Sequence, residues 1–209
     1  MKKMIVLAAI AGLASGAVAQ NASLSIVASS TIPIGGLNPT ATLSVYADAD
    51  FGTHITGAAY TLSAVGGLGL VESIEINSHA TWGSLGFDDL GDGGAGNHNG
   101  MIMGQITFLP FIVPDAASAL GNGPVLLGSF AVTFAANQGG VVDWTVGGGL
   151  GTFALEVIDV NANPGGNPPG EYFQIAAPDF GSTRVVIFPT PSSAALLGIA
   201  GVVAGRRRR

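Results

Sequence analysis

Thr40-Ala41-Thr42-Leu43-Ser44-Val45-Tyr46 alternates hydroxyl and apolar side chains with a period of two. Successive side chains of an extended chain point to opposite faces, so this stretch reads as a strand with one face in a core and the other in water. Tyr60-Thr61-Leu62-Ser63-Ala64 repeats the pattern, and Phe130, Val132 and Phe134 line one side of another strand with Ala131 and Thr133 on the other. Working outward, further strands are expected at 22–28, 69–76, 101–109, 140–147, 150–160, 171–176 and 182–188. Turn-forming runs separate them, among them Ile34-Gly35-Gly36, Gly121-Asn122-Gly123-Pro124 and Asn163-Pro164-Gly165-Gly166. No internal stretch of ten or more residues carries an apolar helical face. About ten short strands between residues 20 and 188 predict an all-β fold, an antiparallel β-sandwich or jelly roll.

The composition agrees with one folded domain. The chain has 209 residues, 48% of them apolar and 10% charged, which excludes a charge-rich disordered chain. Cysteine is absent, so neither a disulfide framework nor a thiolate metal site exists. A domain of this size buries about two-thirds of its unfolded surface and needs no such staple.

The two ends read as addresses. Lys2 and Lys3 precede an apolar run from Met4 to Ala14, and Ala17-Val18-Ala19 supplies the small-x-small site that a signal peptidase accepts. The apolar run is too short to span about 30 Å of hydrocarbon. The expectation is a signal peptide over 1–19, forming a short helix, cut between Ala19 and Gln20. At the other end, Pro189-Thr190-Pro191 leads into an apolar helical segment rich in Gly, Ala and Val, closed by Arg206, Arg207, Arg208 and Arg209. The stretch from Pro191 to Gly205 would make roughly 22 Å of helix, short for a span unless the bilayer thins or Val185 to Phe188 contribute. The arginines would stay on the cytoplasmic side. The alternative is a buried C-terminal helix, which four terminal arginines would end unusually.

The proline pair, Ser192-Ser193-Ala194-Ala195-Leu196-Leu197-Gly198, the apolar segment and the arginine cluster resemble a PEP-CTERM sorting signal, over about residues 189–209. Pro189-Thr190-Pro191 stands where the motif usually has Pro-Glu-Pro, as in similar proteins of planctomycete type. The resemblance implies an exported bacterial protein, held in the membrane by its C-terminal helix until an exosortase-like transpeptidase processes it. It also implies a place at the cell surface or in an extracellular or biofilm matrix. The implied division is 1–19 signal peptide, 20–188 sandwich domain and 189–209 sorting signal. Within the domain, Leu43 to Ala47, Ile55 to Leu62 and Leu127 to Val132 are similar to strands of cohesin-type or carbohydrate-binding sandwiches.

Between the addresses, Arg184 alone faces all thirteen acids, a formal charge of about −12 for 20–188. Such a surface repels phosphate backbones and has no basic cluster that could release counterions, so nucleic acid is excluded as a partner. Cations are its natural partners, and calcium is the candidate cofactor. The stretch from Phe87 to Gly100 places Asp88, Asp89 and Asp92 among amides and glycines, which let backbone carbonyls turn inward toward a cation wanting six to eight oxygens. A second loop spaces Asp159, Asn161 and Asn163 like the first half of an EF-type loop. It departs from that loop at Pro164, where glycine is required, and at Glu171, one position late. The competing reading of both loops is solvated turns.

No nucleophile elbow, zinc helix or phosphate loop occurs. His54, His79 and His98 stand apart, and the region 20–188 has no lysine for a Schiff base. Carboxylates at Asp48, Asp50, Glu72, Glu75 and Asp143 are available for a two-acid glycoside hydrolase, with nothing marking a pair. Trp82 and Phe87 are the candidate sugar-stacking rings, whereas Trp144 reads as core. The leading expectation is a non-catalytic acidic sandwich on the cell surface. The alternatives are a glycan-binding module assisted by calcium and, behind it, a secreted glycoside hydrolase acting on extracellular polysaccharide.

Overall fold

The alternation around Leu43 puts Ala41, Leu43, Val45 and Ala47 on one buried row of a ten-residue strand. In a computed structural model, which describes residues 21–31, 38–79, 88–89, 98–104, 124–149, 153–166 and 170–188, that row faces the inside of a two-sheet sandwich. The signal segment with Ala19 and Gln20, the tail with Pro189, Thr190, Pro191 and Arg206 to Arg209, and Trp82, Phe87 and Asp92 lie outside the described residues.

Twelve strands follow in chain order: β1 Ala22–Thr31, β2 Thr40–Ala49, β3 His54–Val65, β4 Val71–His79, β5 Asp88–Asp89, β6 His98–Gly104, β7 Val125–Phe134, β8 Gly140–Gly148, β9 Leu155–Asp159, β10 Glu171–Ile175, β11 Asp179–Phe180 and β12 Ser182–Ile187. The first sheet runs β11-β1-β2-β7-β4. The second centres on β3, which pairs with β6 along one edge and with β9 and then β8 along the other. Strand β5 borders β6, β10 borders β9 and β12 borders β8. All these pairs are antiparallel except β1 with β11. The expected antiparallel sandwich is the observed fold among the described residues.

Several boundaries differ from the sequence expectation. The strand expected at 69–76 begins at Val71 because Leu68–Leu70 closes a 3-10 turn behind Gly67, whose φ of 66° suits glycine. The span expected at 150–160 forms a strand only from Leu155. Asp88 and Asp89, expected in a loop, form a short strand whose backbone pairs with Ile102 and Met101.

Inward rows from both sheets make one core. Trp144, Tyr60, Phe130 and Phe134 are its largest fully buried side chains. Tyr60 of one sheet meets Phe130 of the other edge-on, with ring centroids 6.5 Å apart. Gly128 lets this contact exist, since a Cβ there would sit 2.8 Å from the Tyr60 Oη. At the seam the chain changes sheet at Gly181, which donates its N–H to Leu24 in the first sheet and accepts from Val146 in the second. A Cβ at Gly181 would lie 3.0 Å from the Ser25 Cα, so glycine permits the crossing.

Gly128→Ala is expected to lower unfolding free energy by about 1–3 kcal/mol, as overpacking of a filled core does. Gly165→Ala, in open space, should stay within about 0.5 kcal/mol. Urea titration followed by tryptophan fluorescence checks both, and equal stability of the two variants would contradict the packing described.

Candidate functional site

The Asp159 loop is a closed hydrogen-bonded turn. Asp159 Oδ1 accepts from the Asn161 N–H at 2.9 Å, and the Asp159 carbonyl accepts from Ala162. The Asn163 carbonyl accepts from both Gly166 and Gly170 N–H groups. One Asp159 carboxylate oxygen and the Asp159 and Asn163 main-chain carbonyls thus accept from backbone donors, the usual work of an Asx turn. Asp88 and Asp89 sit on the edge strand of the second sheet, apart from this turn. Among the described residues no group of three or more His, Asp or Glu side chains is arranged to hold a metal ion.

Trp144 is fully buried, as expected for core, and its Nε1 has no hydrogen-bond partner among the described residues. Three of the five carboxylates considered for acid–base work, Asp50, Glu72 and Asp143, are engaged by other groups. Asp50 accepts from the Asn21 N–H at 2.8 Å and its Nδ2 at 2.7 Å. Glu72 accepts from Asn38 Nδ2. Asp143 accepts from Nε and Nη2 of Arg184, at 2.6 and 3.1 Å. That hydrogen-bonded guanidinium holds the Asp143 carboxyl below its ordinary range, the direction opposite to a general acid.

Two polar assemblies were not visible in the sequence. At one pole of the sandwich, Asp48, Asp50 and Asp179 line a cleft of about 310 Å³ with Asn21, Ser23 and the alanines beside them. Strand register makes this cleft, because Ser23 pairs with Asp48 on one side and Asp179 on the other. On the second sheet, Glu156 is fully buried on the face opposite Leu155 and Val157. A bulge between Ile55 and Gly57 turns Thr56 toward it. The Thr56 hydroxyl donates to Glu156 Oε1 and Gln174 Nε2 to Oε2, each at 2.9 Å. Burial, and after it the Glu156 charge, push the neighbouring Tyr172 phenol up. The one signal for this network in the sequence is an acid set among Leu155, Val157 and Ile158.

No protein-family profile matches the chain, and no curated protein matches it. Among solved structures, it is similar to the seventh ScaB type I cohesin from Pseudobacteroides cellulosolvens. The superposition has a TM-score of 0.43 at 10% identity and covers 82% of this chain and 94% of that one. At that score and identity it assigns no function to this chain.

Asp159→Ala should weaken the turn by about 0.5–1.5 kcal/mol, equally with millimolar calcium and with chelator. A melting difference that appears only with calcium would instead make the turn a metal site. For Asp143, the folded carboxyl sits below its unfolded value, so its contribution is present above the unfolded pKa and is lost as pH falls through the folded one. Asp143→Asn should therefore lower the melting temperature slightly at pH 7, by less in high salt because the pair is exposed, and leave it unchanged at pH 2. A difference of equal size at both pH values would contradict this.

Proposed function

We propose that the chain is an exported, non-catalytic β-sandwich delivered to the bacterial surface or extracellular matrix and processed at its C-terminus by an exosortase-like transpeptidase. The observation that carries this is where the strands begin and end. Strand β1 starts at Ala22, just after the expected mature N-terminus at Gln20, and β12 ends at Ile187, just before Pro189. The strands of the described residues fall within the stretch between the two expected address segments, and Asn21, next to the expected cut, binds Asp50. The engaged carboxylates Asp50, Glu72 and Asp143 support a role in presentation and binding over one in catalysis.

A second reading has support from one feature. Among the described residues Asp88 and Asp89 form the edge strand next to β6, and a sheet edge is open to partners. Trp82 and Phe87, which precede them in the sequence, are the rings that would stack on an extracellular polysaccharide.

Intact mass of the protein recovered from an expressing bacterium tests the first reading. The expected product starts at Gln20 and is cut close to Pro189-Thr190-Pro191 when an exosortase is present. Retention of residues 1–19 and 192–209 would overturn it. Trp82→Ala tests the second, and it should abolish retention on an extracellular polysaccharide column with no change in melting temperature. Unchanged retention would remove Trp82 from any glycan site.

A further inference from the structure

We infer that the outer face of β8 and β12 lies against the lipid surface while the C-terminal segment is in the membrane. This rests on the anchored-precursor reading above and assigns that precursor a membrane-facing side. The register places the face in rows. Val65, Asp143 and Arg184 form one row across β3, β8 and β12, and Val141 with Val186 forms the next. Phe188 continues the outward alternation of Arg184 and Val186. The 3-10 turn at Leu68 backs onto Val141, whose carbonyl oxygen would lie 2.3 Å from a Cβ on Gly67. Five apolar side chains are exposed here: Val65 at 57%, Leu68 at 40%, Val141 at 42%, Val186 at 45% and Phe188 at 67%. Among the described residues the other exposed large apolar side chains, Val27, Leu126 and Phe180, stand on the first sheet.

Charge chooses lipid as the occupant. The carboxylate in these rows, Asp143, is neutralised by Arg184, the one cation in residues 20–188. Acids elsewhere on the described surface, such as Asp48, Asp50, Glu72, Glu75, Glu171 and Asp179, are exposed and would lose hydration against lipid. The acidic cleft lies at the opposite end. From Asp179 to Phe188 the chain runs nearly extended, so the two ends are separated by roughly 30 Å, beyond a Debye length of about 8 Å.

Chain connectivity chooses the same side. The patch ends at Phe188, and Pro189-Thr190-Pro191 can span at most about 10 Å before the apolar segment begins. With that segment in the bilayer, the β12 end of the sandwich is held at the headgroups. Exposed Val and Phe side chains there can bury in the interface, where apolar area adds to binding.

The absence of cysteine from the chain allows a clean test. The full chain carrying Val186→Cys or, at the acidic pole, Asp48→Cys is labelled with an environment-sensitive dye and reconstituted in phosphatidylcholine vesicles containing spin-labelled headgroups. Both variants should float with the vesicles, and quenching at position 186 should exceed that at 48 by at least about threefold. Equal quenching in floating protein overturns the membrane-facing side and leaves the anchor intact. Protein that does not float overturns both. Concentration-dependent self-quenching at 186 with no lipid quenching assigns the patch to a second copy of the chain and overturns the lipid surface as its occupant.

Discussion

The contact of Tyr60 with Phe130 is the constraint on which the rest of the structure depends. It joins the central strand of one sheet to an inner strand of the other, and both rings are fully buried. A sheet with one apolar face has no stability until that face is covered, so the two sheets fold as one unit. Because β3 pairs with β6, β8 and β9, fixing Tyr60 fixes the register of most of the second sheet. A slip of one residue would turn Leu62 and Ala64 to the outer face and bring Thr61 and Ser63 into the core. The glycine at 128 and the bulge that leaves Leu127 without a partner on β2 are the local adjustments that let the two rings meet.

What the sequence made legible follows from this. The period of two survives wherever a strand buries one face, so β2, β7 and β8 could be read directly from Leu43, Phe130 and Trp144. It fails where both faces are covered. Residues 55–60 and 155–158 are buried without interruption, so neither position parity nor hydropathy marks Glu156 as a polar residue facing away from the core. The Thr56–Glu156–Gln174 network needs a bulge and the pairing of three strands, which no local pattern encodes. The same holds for the acidic cleft, where Asp48 and Asp179 become neighbours only through Ser23 between them. The Asp159 loop shows the converse. Its spacing of oxygens suits half a cation loop and an Asx turn alike, and the Asn161 N–H to Asp159 bond is the part of the turn that the structure shows.

The distribution of charge gives the sandwich a direction. A domain with one cation and thirteen acids would be expected to carry a featureless negative surface. Strand register instead gathers Asp48, Asp50 and Asp179 at the pole where β1 begins, and sets the Arg184–Asp143 ion pair midway along β12, which leads away from it. An exposed ion pair adds little to stability. Its consequence is local, because it cancels the one carboxylate in a face that otherwise presents Val65, Val141 and Val186.

Gly181 is the residue that joins these features. By passing the chain from the first sheet to the second, it places β11 beside the acidic cleft and sends β12 toward the opposite end, along the edge of β8. Without that crossing β12 would extend the first sheet, Arg184 would be carried away from Asp143, and the exit of the chain would be separated from the apolar rows. The crossing leaves little room for a side chain, since a Cβ would lie 3.0 Å from the Ser25 Cα and 3.3 Å from the Leu24 carbonyl oxygen. One glycine at the seam therefore sets both how the sandwich closes and which face it turns toward the segment that follows.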